Sequence, residues 1–301
     1  MVNAFQLTWT IPAAEAGMLI RDYLKEKNIS KRALTDIKFG GGSILVNDEH
    51  ATVRFELRAG DVLKVIFPVE KPSAGMLPEK VDFEIVYEDE WCLVINKPPY
   101  LPTIPSREHP GGTLANGLLF YYKEKEIAAT IHVVNRLDKD TSGLMLVAKH
   151  RFAHSLFSSQ QKQGEIKRNY FALVEGEVKE KQGTISAPIG RKEDSIIERT
   201  VRDDGQHAVT HYRVIAYSEC NTLVSLKLET GRTHQIRVHM AHIGHPLCGD
   251  SLYGGSHRFI PRQALHSAKL SFFHPLLEKE MNFKIDLPDD IQSAVNKKDS
   301  C

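Results

Sequence analysis

One polar stretch in this chain is built for chemistry more than for packing: Asn135-Arg136-Leu137-Asp138-Lys139-Asp140-Thr141-Ser142-Gly143. The apolar runs on either side, 131–134 and 144–148, read as strands, so the stretch is a connection leaving a sheet. A rigid scaffold that delivers a carboxylate and a guanidinium on a short loop is a common way to build a reactive site. Asp138 is the candidate nucleophile or base. The plainer alternative is a loop Asp that bonds its own backbone in a turn. Asp138 and Asp140 together also raise a paired-carboxylate glycosidase, but two positions on a loop leave the carboxyl separation open. Ser142 does not read as a hydrolase nucleophile, because G-x-S-x-G is absent.

A second cluster runs Gly231-Arg232-Thr233-His234-Gln235-Ile236-Arg237-Val238-His239. Gly231 permits a turn after a strand, and Thr233 is placed to cap a helix. Arg237 lies one helical turn further on. Facing Asp138, its guanidinium would keep that carboxylate ionised and oriented; otherwise it is a surface Arg bonded to phosphate or water. The third segment, Lys167-Arg168-Asn169-Tyr170, is a basic pair leading into a strand. Tyr170 is by default a core aromatic with a wet hydroxyl. The alternative is an aromatic face for stacking an unpaired base, with Lys167 and Arg168 near phosphates.

Two further patterns carry less. His234, His239, His242 and His245 suggest a metal, but H-E-x-x-H is missing and only His239 and His242 share a helical face at short spacing. Capping, core and RNA-contact roles fit them better, and no metal is expected. Gly111-Gly112 before a capped helix could cradle a phosphate, yet no Walker or Rossmann pattern surrounds it.

The elements that must hold these groups can be placed coarsely. With 301 residues the chain suffices for one sizeable core and a smaller second unit. A net charge of +1 announces no global field for a polyanion, although local patches can still bind one. Cys92, Cys220, Cys248 and Cys301 form no CxxC, which speaks against a zinc ribbon or disulfide scaffold and fits a reducing compartment. No signal peptide or membrane span is evident, so a cytoplasmic protein without a membrane partner is expected.

Residues 1–70 read as a small helix-helix-hairpin unit. Met18, Leu19, Tyr23 and Leu24 predict a helix over 17–27. Ser30 caps a second helix through Ile37, stopped by Gly40-Gly41-Gly42. Strands over 43–46 and 62–67 follow, with Gly60-Asp61 turning between them. Lys31, Arg32 and Lys38 lie on the second helix, where they are either a solvated face or RNA contacts. A linker over 71–80 is rich in Pro and small residues. Residues 81–290 mix strands and helices without regular alternation. A hairpin is expected over 84–95, helices over 113–122, 154–164 and 236–242, and strands over 170–174, 209–216 and 222–229. Residues 291–301 read as a polar tail. The fold class is therefore α+β, with a mixed central sheet and flanking helices.

Taken together, the three segments resemble the RluA/RluD-type RNA pseudouridine synthase family. The matching motifs are R-L-D-x-x-T-S-G at Arg136 to Gly143, Lys-x-x-Tyr at Lys167 and Tyr170, and G-R-T-H-Q-I-R-V-H at Gly231 to His239. Leu247-Cys248-Gly249-Asp250, Leu265-His266 and Phe273-His274-Pro275 also resemble the family's C-terminal motifs. The likeness covers roughly 80–288. Residues 16–67 are similar to the S-four-type RNA-binding domain often joined to these enzymes. Asn135 stands where members often have His, and Tyr100 where Asn-Lys-Pro-x-Gly supplies Gly.

The resemblance implies a pseudouridine synthase fold with a largely antiparallel sheet, and an isomerase that converts uridine to pseudouridine in RNA. It implies no cofactor. Large-subunit ribosomal RNA is the expected target, with tRNA as the alternative, and the enzyme is expected to act as a monomer. The implied catalytic residues are Asp138, Arg237 and Tyr170. Arg136, Thr141, Lys167, Arg232, His234 and Gln235 are the implied substrate contacts, and Lys31, Arg32 and Lys38 the RNA contacts. Two rivals stay open: a histidine-based metal hydrolase, and a non-catalytic RNA-binding or ribosome-assembly factor on the same fold.

Overall fold

The computed structural model describes residues 4–70 and 75–297. Part of the expected linker, 71–74, and the last residues, 298–301, lie outside the described residues.

The N-terminal unit contains β1 (Gln6–Thr10), α1 (Ile20–Glu26), α2 (Lys31–Phe39), β2 (Ser43–Val46), β3 (Glu49–His50) and β4 (Val62–Ile66). Ser30 caps α2 by accepting from the Ala33 N–H at 3.1 Å, as its position predicts. The helix expected over 17–27 begins only at Ile20, because Gly17 is left-handed with φ 87° and leaves the chain in a turn. The expected hairpin is instead a four-stranded sheet of order β1-β4-β2-β3. β1 alternates threonines and a glutamine with Leu7 and Trp9, a pattern too polar to stand out as a strand.

The rest of the chain builds one large sheet from β5 (Glu84–Glu88), β6 (Cys92–Lys97), β7 (His132–Val133), β8 (Ser142–Ala148), β9 (Lys167–Glu175), β10 (Gln182–Ser186), β13 (Val209–Tyr217), β14 (Asn221–Leu228), β15 (Leu265–His274) and β16 (Lys279–Lys284). β11 (Ile189–Arg191) and β12 (Arg199–Val201) form a separate ribbon. The helices are α3 (Leu114–Glu124), α4 (Arg151–Lys162), α5 (Gln235–His242) and α6 (Asp289–Asn296). The main path runs β10-β13-β14-β9-β15-β8-β6-β5, with β16 on β15 and β7 on β8. Every pairing is antiparallel except β15 with β8, so the sheet is mixed and largely antiparallel.

That one parallel contact joins the two halves of the sheet and matters for the site. It consists of His266 opposite Ser142 and Ser267 opposite Gly143. Gly143 has φ 113°, and a Cβ there would lie 2.3 Å from the Ser267 carbonyl oxygen, so only glycine lets the strands meet. The polar loop therefore ends on a fixed point of the sheet.

Residues 291–296 are not a polar tail. They belong to α6, whose Ile291 and Ala294 are buried against Leu173, Leu223 and Ile260. Ile291, Ala294 and the partly buried Val295 are the apolar residues of α6 in this packing, too few for the composition to read as buried. The N-terminal unit is not set apart either: its core is continuous with Trp91, Leu144, Leu146 and Phe152 of the larger body. Phe5 stacks on His150 with ring centroids 3.5 Å apart and meets Trp91 edge-on at 5.7 Å. Arg151 pairs with Asp36 of α2 at 3.0 Å. Among the described residues, no helix is long and apolar enough to cross a membrane.

Candidate active site

The Asp138 loop leaves β7 and returns as β8, and groups from around the sheet anchor it. Lys97, fully buried at the end of β6, donates from Nζ to the carbonyls of Pro98, Leu101 and Lys139 at 2.8–2.9 Å. Thr103 Oγ1 donates to the Leu137 carbonyl at 2.6 Å. Arg262, also buried, donates to the Asp140 carbonyl at 2.9 Å and pairs with Asp290 at the start of α6. Gln263 Nε2 donates to Thr141 Oγ1 at 2.8 Å, and Ser142 Oγ lies 2.9 Å from His266 Nδ1. Asn135, one of the departures from the family pattern, accepts the Leu146 N–H at 2.9 Å and so belongs to the same framework. Burial pushes the Lys97 pKa down to about 7, with Asp140 and Asp138 partly offsetting that effect.

Arg237 comes from the first turn of α5. Its Nη1 donates to Asp138 Oδ2 at 3.1 Å. Nε and Nη2 form a two-pronged bond with Asp250 at 2.7 and 2.8 Å. Asp250 is 2% exposed and Arg237 is 6% exposed, so the pair is desolvated and its geometry is tightly held. Burial alone would lower the Arg237 pKa, but Asp250 and then Asp138 more than compensate and hold it above the ordinary range. The guanidinium also sits 4.9 Å from the Tyr253 ring centroid.

The start of α5 differs from the sequence expectation. Thr233 is not the cap. His234 occupies that position with φ 56°, left-handed for a residue with a side chain, and gives no side-chain cap. The turn is closed instead by Gln235, whose Oε1 accepts from Thr230 Oγ1 and the Arg232 N–H while Nε2 donates to the Val209 carbonyl and Thr210 Oγ1. The twist swings the His234 ring back over the loop. Its Nδ1 lies 2.8 Å from Tyr253 Oη, and its Nε2 lies 3.8 Å from Asp138 Oδ2. Burial lowers the His234 pKa, opposed by the Asp138 charge.

The pocket over Asp138 is lined by Arg136, Thr141, Arg168, Tyr170, Arg232, His234, Gln235 and Arg237, with Leu137, Leu228 and Leu265 as apolar walls. Asp138, Arg237 and Tyr170 are thus brought together from a loop, a helix and a strand. Tyr170 is buried on β9, beside that apolar wall. Arg136 and Arg232 are exposed at the rim. Thr141 and Gln235 line the pocket; the Gln235 amide is engaged by the protein on both atoms and shapes the turn, while Thr141 Oγ1 accepts from Gln263.

Lys167 is a correction. Side chains alternate along a strand, so Lys167 faces away from Tyr170, and its Nζ donates to the Gly164 carbonyl. Arg168 occupies the pocket instead, and its Nε is buried without a protein partner. The spacing of two between Arg168 and Tyr170 was the available signal. Asp250 and Tyr253 were also missed as site residues; the Leu247-Cys248-Gly249-Asp250 motif was the available signal for Asp250, and the fold carries both residues back to Arg237.

The remaining candidates fall elsewhere. His239 bonds Thr210 Oγ1 and the Ala187 carbonyl, and His245 bonds the Glu175 carbonyl, so these rings are spent separately. The Gly111-Gly112 turn holds the chain's own Glu79 carboxylate, with the Gly112 N–H donating at 2.9 Å. Lys31, Arg32 and Lys38 are exposed on α2, away from the pocket lining.

Proteins similar to this chain in sequence or fold are described as pseudouridine synthases. A family model described as RNA pseudouridylate synthase matches residues 92–242. The chain is 57% identical over 278 residues to an uncharacterised RNA pseudouridine synthase of Bacillus subtilis, YjbO, covering 92% of this chain and 98% of that one. Ribosomal large subunit pseudouridine synthase D of Pseudomonas aeruginosa is 41% identical over 253 residues, or 78% of this chain and 79% of its own. Among solved structures, human RNA pseudouridylate synthase domain containing 4 superposes with a TM-score of 0.57 at 24% identity, over 70% of this chain and 90% of that one, a likeness of fold. With a matching model over its central half and relatives that align across most of both lengths, this chain belongs to the RNA pseudouridylate synthase family.

Proposed function

We propose that this pseudouridine synthase modifies uridines of large-subunit ribosomal RNA, with Asp138 as its reactive carboxylate. The ribosomal target draws support from relatives named ribosomal large subunit pseudouridine synthase D, 38–41% identical to this chain. The role of Asp138 rests on one observation: its carboxylate meets Arg237 at 3.1 Å on the wall of a pocket shared with Tyr170.

The isomerisation needs no net redox change. The bond between uracil N1 and ribose C1′ breaks, the base turns, C5 bonds to C1′, the C5 hydrogen leaves as a proton and N1 gains one. Asp138 serves this sequence by attacking C1′, by adding to the base or by taking a ribose proton, and all three require an oxygen open to the nucleoside. Tyr170 supplies an aromatic face for the extruded uracil beside Leu228 and Leu265. Arg136, Arg168 and Arg232 surround the opening with positive charge for flanking phosphates. Extruding the nucleotide costs a few kcal/mol, roughly, in lost stacking, which those contacts offset. The exposed cations of α2 extend the RNA contact in the manner of an S-four-type module.

Mapping pseudouridine in ribosomal and transfer RNA from cells with and without the gene tests the target. Loss of one or more sites in the large-subunit RNA is expected. Loss confined to tRNA would move the target there, and an unchanged map would reject the ribosomal assignment.

A further inference from the structure

Arg237 and His234 approach the same oxygen of Asp138. Arg237 Nη1 is 3.1 Å from Oδ2 and His234 Nε2 is 3.8 Å from it. Oδ1 accepts no hydrogen bond among the described residues, and the Asp138 side chain, 30% exposed, lines the pocket. The neighbours of the ring accommodate one tautomer in particular. Tyr253 Oη accepts the Arg199 N–H at 2.9 Å, so its own hydrogen is free for His234 Nδ1 at 2.8 Å. The tautomer in which Nδ1 accepts that hydrogen puts the ring proton on Nε2, directed at Asp138.

The backbone bears a cost for this arrangement. His234 is left-handed at a helix start where its side chain caps nothing. Such strain persists where surrounding contacts over-determine it, commonly at functional sites.

We propose that His234 is a positioning residue for Asp138. Tyr253 holds the neutral ring as its Nε2–H tautomer, and that N–H, together with Arg237, draws Oδ2 to one side so that Oδ1 faces the nucleoside. At 3.8 Å the contact is still open, and it shortens to a hydrogen bond when RNA fills the pocket. This rests on Asp138 being the reactive carboxylate.

Purified variants assayed by tritium release from uridine-labelled ribosomal RNA separate the possibilities. His234→Asn keeps a residue that tolerates the left-handed backbone but cannot reach Asp138. It is expected to lose about a hundredfold in kcat with KM little changed and with thermal stability retained. His234→Gln, whose amide N–H has the reach, is expected to recover much of that loss. Tyr253→Phe frees the tautomer and should lower kcat at the same step, so the Tyr253→Phe, His234→Asn double variant should be no worse than His234→Asn alone. The proposal is overturned if His234→Asn keeps wild-type kcat, if its defect lies in KM, if Gln restores nothing, or if the two losses multiply. Asp138→Asn is the separate control: a fully active Asp138→Asn enzyme rejects the reading of the site itself, whatever the His234 variants do.

Discussion

Asp250 grips Arg237 through two nitrogens, Nε and Nη2, and leaves only Nη1 to reach Asp138. The guanidinium is thereby fixed in plane and direction before any RNA arrives. Its attraction to Asp138, the reactive carboxylate we propose, requires no reorganisation at the moment of reaction.

Removing Asp250 should therefore damage both fold and activity. Asp250→Ala leaves a buried guanidinium without its main counter-charge, a change that costs about 3–5 kcal/mol. Denaturant unfolding should report that loss. Turnover should fall at least about tenfold, because Arg237 is free to swing. A variant with wild-type stability would show that the pair contributes little.

Asp138→Asn should abolish pseudouridine formation while RNA binding persists. Arg237→Met should reduce kcat by about a hundredfold or more, since it removes the preset charge beside the carboxylate. Gel-shift and tritium-release measurements on the same preparations distinguish lost chemistry from lost binding. Near-wild-type turnover in either variant would remove that residue from the proposed site.

Lys97 predicts a pH dependence of stability with a definite sign. Its pKa is pushed down to about 7 in the folded chain, against about 10.4 for a free lysine. Between those values the unfolded state binds the extra proton, so the Lys97 contribution to stability rises with pH across that window. Relative to Lys97→Met, the wild type should gain up to about 1.4 kcal/mol per pH unit above pH 7. Urea unfolding of both proteins at pH 6.5, 7.5 and 8.5 measures it. A flat difference would mean that the folded lysine titrates normally. Lys97→Met should also slow catalysis, because three carbonyls around the Asp138 loop lose their donor.

Phe5→Ala should destabilise the whole protein, not only its N-terminal unit. Phe5 touches His150, Trp91 and Phe67, and the loss should be about 2–3 kcal/mol for a partly buried ring. Removing residues 1–70 goes further, because it uncovers Trp91, His150 and Phe152 and takes Glu70 from His132 and the Arg151 N–H. The truncated chain should unfold at lower temperature and aggregate more readily. Equal melting temperatures would mean that the units are energetically separate.

Much of the site was legible in the sequence because its parts carry local signals. The Asp138 loop lies between two apolar runs, Ser30 is an ordinary cap, and the order of motifs in the chain matches a known family. What could not be read depends on closure of the sheet. Asp250 reaches Arg237 through packing that follows α5, and no local periodicity announces it. Lys167 was expected in the pocket because it is basic and near Tyr170, but strand alternation sends it to the other face and brings Arg168 in. The turn before α5 misled in another way: Thr233 has the better capping chemistry, yet Gln235 closes the turn and His234 takes the strained position. The polar composition of β1 and α6 concealed elements that are held by a few apolar side chains each, partly buried in β1 and mostly buried in α6.

The stacking of Phe5 on His150 has a mechanical consequence. His150 caps α4, and its neighbour Arg151 pairs with Asp36 of α2, so α2 is linked to the turn that follows β8 and, through that strand, to the loop that carries Asp138. If both contact RNA and those links hold, the enzyme works as a caliper. Its two jaws accept only a fold that presents a backbone segment and an extrudable uridine at one set distance, and inserting a base pair between them should exclude the substrate even with the local sequence around the uridine unchanged.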